Sequence, residues 1–155
     1  MADATGGSTT MNVSNIPNYG RTLKVYARWR TSRSGFSNTG GRFYVNGLTG
    51  ASDYSLNYVS GTSLESRGYV GQVVSANGLF GEYTSTEIII PGYNAPYNSR
   101  HIAMARSFGY SSGISHVANY IGNSTGIGPV TSITLFDDVT SNIVLGSFME
   151  IYLSN

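Results

Sequence analysis

The hydrophobic pattern along this chain is one of short alternations, not of helical stripes. From Thr22 onward, Leu23, Val25, Ala27 and Trp29 fall on one side of an extended strand, and Lys24, Tyr26, Arg28 and Arg30 fall on the other. A period of two with one charged face predicts a half-buried strand. Thr31, Ser32, Arg33, Ser34 and Gly35 then end it with turn-forming residues. Arg42 to Asn46 repeats the logic, with Phe43 and Val45 inward, and Asn46-Gly47 signals a tight turn. Weaker strands are predicted near Tyr54–Val59 and Tyr69–Val74. A short apolar run, Glu87 to Ile90, is closed by Pro91-Gly92. Arg100 to Phe108 alternates again, with Ile102 and Met104, or their neighbours, inward. Ile114 to Ile121 has a mixed pattern. Thr131 to Phe136 places Ile133 and Leu135 on one face, and Ser147 to Leu153 does the same for Met149, Ile151 and Leu153.

No window holds a helical period without Gly or β-branched interruption. About eight or nine short strands between Gly-, Ser- and Asn-rich turns predict an all-β fold, a two-sheet antiparallel β-sandwich. A jelly roll is the preferred version, because it manages sheet edges within a compact double sheet. Residues 1–18 are read as a short extended N-terminal arm, small and polar through Asn12, and residues 19–155 as the sandwich.

Three phrases in this order carry a resemblance. They are Ile16-Pro17-Asn18-Tyr19-Gly20-Arg21-Thr22-Leu23; Arg42-Phe43-Tyr44-Val45-Asn46-Gly47 with Asp53-Tyr54-Ser55; and Ile133-Thr134-Leu135-Phe136 with Gly146-Ser147-Phe148-Met149-Glu150-Ile151-Tyr152. Together they resemble a β-sandwich domain found in structural proteins of tailed-bacteriophage particles, over residues 13 to 153. Leu48 stands where that family often has an acidic residue, and Leu153 where it usually has Gly. The resemblance implies a virion protein on the outer surface of the particle. The first expectation is a capsid decoration, or cement, protein that binds the major capsid protein of an assembled head. A tail-fibre or tail-tip module recognising a host surface glycan is the alternative.

Composition narrows the chemistry. At 155 residues the chain reads as one domain, large enough to bury about 70% of its unfolded surface without a disulfide or metal. Cys is absent, which removes disulfides, thiolate metal sites and cysteine nucleophiles. No apolar stretch reaches the length of a membrane-spanning helix, and the N-terminus lacks a basic-then-apolar leader pattern, so no membrane partner is expected. His101 and His116 are the only histidines, and Glu65, Glu82, Glu87 and Glu150 are dispersed over different predicted elements. No enzyme and no cofactor are expected from these residues. Asp137-Asp138 is a candidate Ca²⁺ turn, weighed against simple turn geometry.

Charge is asymmetric beneath a net value of +1. From Arg21 to Arg42 there are Arg21, Lys24, Arg28, Arg30, Arg33 and Arg42 and no acidic residue. Residues 82 to 155 carry Glu82, Glu87, Asp137, Asp138 and Glu150 against Arg100 and Arg106. The candidate partner-binding residues are therefore Arg21, Lys24, Arg28 and Arg30, with Arg42 and Tyr44 beside them. A basic strand face interleaved with Tyr is compatible with nucleic acid, but the near-zero net charge and missing signatures point to an acidic protein patch instead. Tyr occurs 12 times. Tyr93 and Tyr97, around Pro96, form a candidate contact loop, for a glycan or for a subunit. A basic edge facing an acidic one also predicts a homo-oligomer, with a three-fold ring preferred. The Met-led polar arm followed at once by the sandwich favours an add-on protein over a fibre tip.

Overall fold

The computed structural model describes residues 2–3, 7–33, 39–50, 53–58, 61–65, 68–75, 82–96, 101–108, 116–122, 128–139 and 141–155, with the backbone alone at 2–3, 39, 55–58, 61–65, 72, 108 and 116–122. Alternation along β3 (Thr22–Trp29) has the predicted outcome: Leu23, Val25, Ala27 and Trp29 are buried, and Tyr26 and Arg28 are exposed. The other strands are β1 (Ala2–Asp3), β2 (Thr10–Val13), β4 (Thr39–Val45), β5 (Tyr54–Tyr58), β6 (Gly61–Glu65), β7 (Gly68–Val73), β8 (Thr84–Pro91), β9 (Ile102–Phe108), β10 (His116–Gly122), β11 (Ile133–Asp137) and β12 (Phe148–Ser154). Among the described residues there is no helix, and the strand pairs are antiparallel. The fold is an all-β two-sheet sandwich.

One sheet has eight strands in the order β1-β12-β3-β8-β9-β10-β5-β6, and the other has four in the order β2-β11-β4-β7. Without β5, β6, β9 and β10, the remaining eight strands run first-eighth-third-sixth in one sheet and second-seventh-fourth-fifth in the other. Residues far apart in sequence therefore become neighbours. The core between the sheets gathers Leu23, Val25, Trp29, Phe43, Val45, Ile88, Ile90, Ile133, Leu135 and Met149. Ile151 and Leu153 sit only partly buried at its margin. Trp29 has no exposed surface, and its Nε1–H donates to Thr86 Oγ1 at 2.9 Å, which satisfies the ring's polar atom inside the core.

On β9 the neighbours point inward. Ala103, Ala105 and Ser107 are buried, while Ile102 and Met104 are 53% and 45% exposed. The register explains this, because Ala105 is paired with the inward Ile88 and Met104 with the outward Ile89. Residues opposite one another in an antiparallel pair share a face.

The stretch read as an arm is partly sandwich. Its residues 10–13 form β2 against β11, with Met11 opposite Leu135 and Val13 opposite Ile133. Met11 and Ile16 are buried in the core, and the Ile16 N–H donates to the Thr131 carbonyl at 2.9 Å. The polar composition of residues 1–12 concealed this, since only one large apolar side chain is needed on the inner face of a four-residue strand.

The phrase residues act as fasteners. Asn46 and Gly47 have φ of 49° and 70°, and the Leu48 N–H donates to the Val45 carbonyl at 2.9 Å. The tight turn is there, but it carries the chain from one sheet to the other and joins no hairpin. Asn46 Oδ1 accepts the N–H groups of Thr131 and Ser132 at 2.8 and 3.1 Å, and its Nδ2 donates to the Pro129 carbonyl at 2.9 Å. Buried Tyr54 completes the corner: its hydroxyl accepts the Val45 N–H at 3.0 Å and donates to the Leu48 carbonyl at 3.1 Å. Tyr54→Phe is expected to cost about 1–3 kcal/mol, because two backbone groups lose a buried partner. A urea midpoint equal to that of the wild type would exclude this role.

Candidate interaction surface

The outer face of the large sheet is built in register from β12, β3, β8 and β9. One row across these strands reads Glu150, Tyr26, Glu87, Arg106, and the next reads Tyr152, Lys24, Ile89, Met104. Of the seven large hydrophobic residues that are exposed among the described ones, four lie here: Tyr26, Ile102, Met104 and Tyr152. The other three, Tyr19, Val139 and Leu145, lie outside the strands. This face thus carries more of the exposed large hydrophobic side chains than the rest of the described residues together.

Polar groups on this face hold one another. Arg106 forms an ion pair with Glu87. The Tyr152 hydroxyl donates to Glu150 Oε2 at 2.8 Å, and the rings of Tyr26 and Tyr152 meet edge to face with centroids 5.6 Å apart. The Glu87 carboxylate accepts from Tyr26 and holds that phenol above its ordinary value; Glu150 does the same for Tyr152. Two shallow depressions open here. One of about 290 Å³ is lined by Glu87, Ile89, Met104, Ala105 and Arg106, and one of about 380 Å³ by Lys24, Tyr26, Glu150, Tyr152 and Ser154.

The basic residues separate. Lys24 and Arg28 lie on this face, and Arg28 stacks over the Tyr83 ring at 4.1 Å. Arg21 is exposed just before β3, and Arg30 is half-buried just after it. Arg42 does not join them. It lies on β4 in the other sheet, paired with Asp138 at 2.5 Å and stacked over the Tyr69 ring at 4.8 Å, while Tyr44 leans on Phe136 at 5.3 Å. Strand alternation placed Arg42 outward, but only the topology could assign it to a sheet.

Tyr93 is not a surface residue. It is fully buried, and its hydroxyl donates to the Pro17 carbonyl at 2.7 Å and lies against the Tyr19 carbonyl as well. Burial pushes its phenol up from the ordinary value. It pins the segment before β3, so the loop reading of Tyr93 as a ligand contact does not hold for the side chain. Tyr97 lies outside the described residues, as does Arg100.

Asp137 and Asp138 go separate ways. Asp137 is buried, with Oδ1 accepting the Ser141 N–H at 2.7 Å, whereas exposed Asp138 reaches Arg42. Their carboxylates therefore do not converge on one ion. His101 is buried and donates from Nε2 to the Gly128 carbonyl at 3.0 Å; the side chain of His116 lies outside the described residues. Among the described residues no three His, Asp or Glu side chains are placed to hold a metal.

No family model, no curated protein and no solved structure matches this chain. The chemistry of the surface therefore rests on its own residues. The sequence leaves open which side of β9 faces inward, so it does not assign Ile102 and Met104 to the surface, and Ile89 on β8 is hidden within the continuous apolar run Ile88–Ile90.

Proposed function

We propose that this chain is a bacteriophage virion structural protein, a capsid decoration protein that binds the assembled head as a homo-oligomer and works through protein contact. The observation that carries this reading is the gathering of exposed Tyr26, Ile102, Met104 and Tyr152 on one open sheet face, with depressions instead of an enclosed cleft. The strand order, first-eighth-third-sixth against second-seventh-fourth-fifth, supports the jelly-roll version of the sandwich. Contact with the major capsid protein is assigned to the rim where Tyr19, 66% exposed, and Arg21 project before β3. An exposed aromatic next to a cation suits an acidic, partly apolar protein patch.

One observation favours the tail-fibre alternative. The depression of Lys24, Tyr26, Glu150, Tyr152 and Ser154 sets two phenol rings beside a carboxylate and an ammonium, which a sugar ring would use. A head-binding assay separates the two readings. Purified protein is expected to bind heads stripped of it, in numbers set by the capsid lattice. The double variant Tyr19→Ala, Arg21→Glu is expected to bind at least about tenfold more weakly. A protein that ignores heads, but whose Tyr152→Ala variant abolishes adsorption to host cells, overturns the decoration reading.

A further inference from the structure

We infer, on the reading of the chain as a self-associating particle protein, that the outer face of the large sheet docks on the same face of a second copy about a two-fold axis running between β3 and β8. The strand register makes this face self-complementary. Across β12, β3, β8 and β9 one row runs Glu150, Tyr26, Glu87, Arg106, with an acid at one end and a base at the other. A two-fold axis parallel to the strands, between β3 and β8, lays β12 of one copy over β9 of the other. Glu150 then faces Arg106 of the second copy, and Arg106 faces its Glu150. In the adjoining row, Tyr152 comes over Met104 of the second copy, and Lys24 over its Ile89. Exposed aromatic and thioether groups are thus covered, and each end charge meets its opposite. An isologous contact requires this reciprocity.

About this axis β1, β12 and β3 of one copy lie over β10, β9 and β8 of the other, and β5 and β6 extend the sheet beyond the overlap. The four central strands β12, β3, β8 and β9 at ordinary spacing and length cover about 20 Å by about 20 Å, or about 400 Å² per copy, and the two-residue β1 over β10 adds a little at each edge. That lies at the small end for a specific interface, so the pair is expected to be concentration-dependent and not obligate. Sheets packed face to face keep their strands within about 30° of parallel, which an axis along the strands permits. A three-fold ring, the arrangement expected from the sequence, does not bring this face onto itself. A single sugar would cover one depression and leave Ile102 exposed.

Sedimentation equilibrium on three proteins tests the geometry. The wild type is expected to dimerise. Glu150→Arg alone and Arg106→Glu alone each create two like-charge contacts and are expected to weaken the dimer at least about tenfold. An equimolar mixture of the two variants restores both opposite-charge contacts and is expected to associate as a heterodimer. Arg106 and Glu150 lie on the outer face, and an exposed pair such as Arg106–Glu87 adds little to stability, so both variants should fold. Cysteine cross-linking gives a second readout, since the chain has no Cys of its own. Tyr152→Cys mixed with Met104→Cys is expected to give a disulfide-linked heterodimer on mild oxidation, and neither alone should do so. A wild type still monomeric at about 1 mM, an oligomer that neither charge reversal weakens, or a mixture that stays apart overturns the inference. A monomer that still coats heads sinks the two-fold pair alone; a dimer that ignores heads sinks the decoration reading alone.

Discussion

Removing residues 1–18 is expected to unfold the sandwich, whereas removing residues 1–6 leaves it folded. The longer deletion takes away β2, which covers one side of β11, and with it Met11 and Ile16 from the core. Each buried side chain of this size is worth about 2–5 kcal/mol when deleted. Their sum is comparable to the whole stability of a domain, about 5–15 kcal/mol. The Tyr93 hydroxyl also loses the Pro17 carbonyl, and the Thr131 carbonyl loses the Ile16 N–H. An uncovered β11 would then present an open sheet edge, which invites aggregation. The shorter deletion removes only the two-residue β1, beside β12. Urea unfolding followed by circular dichroism distinguishes the two proteins. A deletion of residues 1–18 that keeps the wild-type midpoint would show that β2 and Ile16 add nothing to the fold.

Trp29→Ala is expected to cost about 3–5 kcal/mol, the range for removing a large buried aromatic. Trp29 is completely buried at the end of β3, and Thr86, which accepts its Nε1–H, is buried with it. The substitution leaves both a cavity and a hydroxyl without its donor. Trp29→Phe keeps one aromatic ring but loses the hydrogen bond and part of the buried volume, and is expected to cost less than Trp29→Ala. Circular dichroism is the proper probe, since Trp29 is the only tryptophan and its fluorescence disappears with it. Equal midpoints for Trp29→Ala and the wild type would contradict the central position of this residue.

Much of the fold was legible in the chain because strands write their two faces at alternate positions. Leu23, Val25, Ala27 and Trp29 lie inside as the pattern requires, and so do Phe43, Val45, Ile133, Leu135 and Met149. The phrases around Ile16–Gly20, Asn46-Gly47 and Tyr54 were visible as phrases. Their work was not: Asn46 binds backbone groups 83 to 86 residues away, at Pro129, Thr131 and Ser132, and Tyr54 closes the corner back onto Val45 and Leu48. The candidate surface was half legible. Lys24, Tyr26 and Arg28 were placed outward from their own strand, but Ile89, Met104, Arg106, Glu150 and Tyr152 join them only through strand pairing.

By itself, then, the sequence determined that this chain is all-β, where most strands and turns lie, and which side of β3 faces the core. Those properties are local, set by alternation, by Gly and Asn at positive φ, and by the absence of any helical period. The tertiary structure alone decided that Met11 and Ile16 belong to the core, that Ala103 and Ala105 turn inward in place of Ile102 and Met104, and that Tyr93 is a buried fastener. It also decided that Arg42 pairs with Asp138 in the other sheet, away from Lys24 and Arg28. In each case the deciding partner lies in another segment of the chain, 76 residues away for Tyr93 and Pro17 and 96 for Arg42 and Asp138. An alternating strand is equally consistent with either face inward until its register with that partner is set.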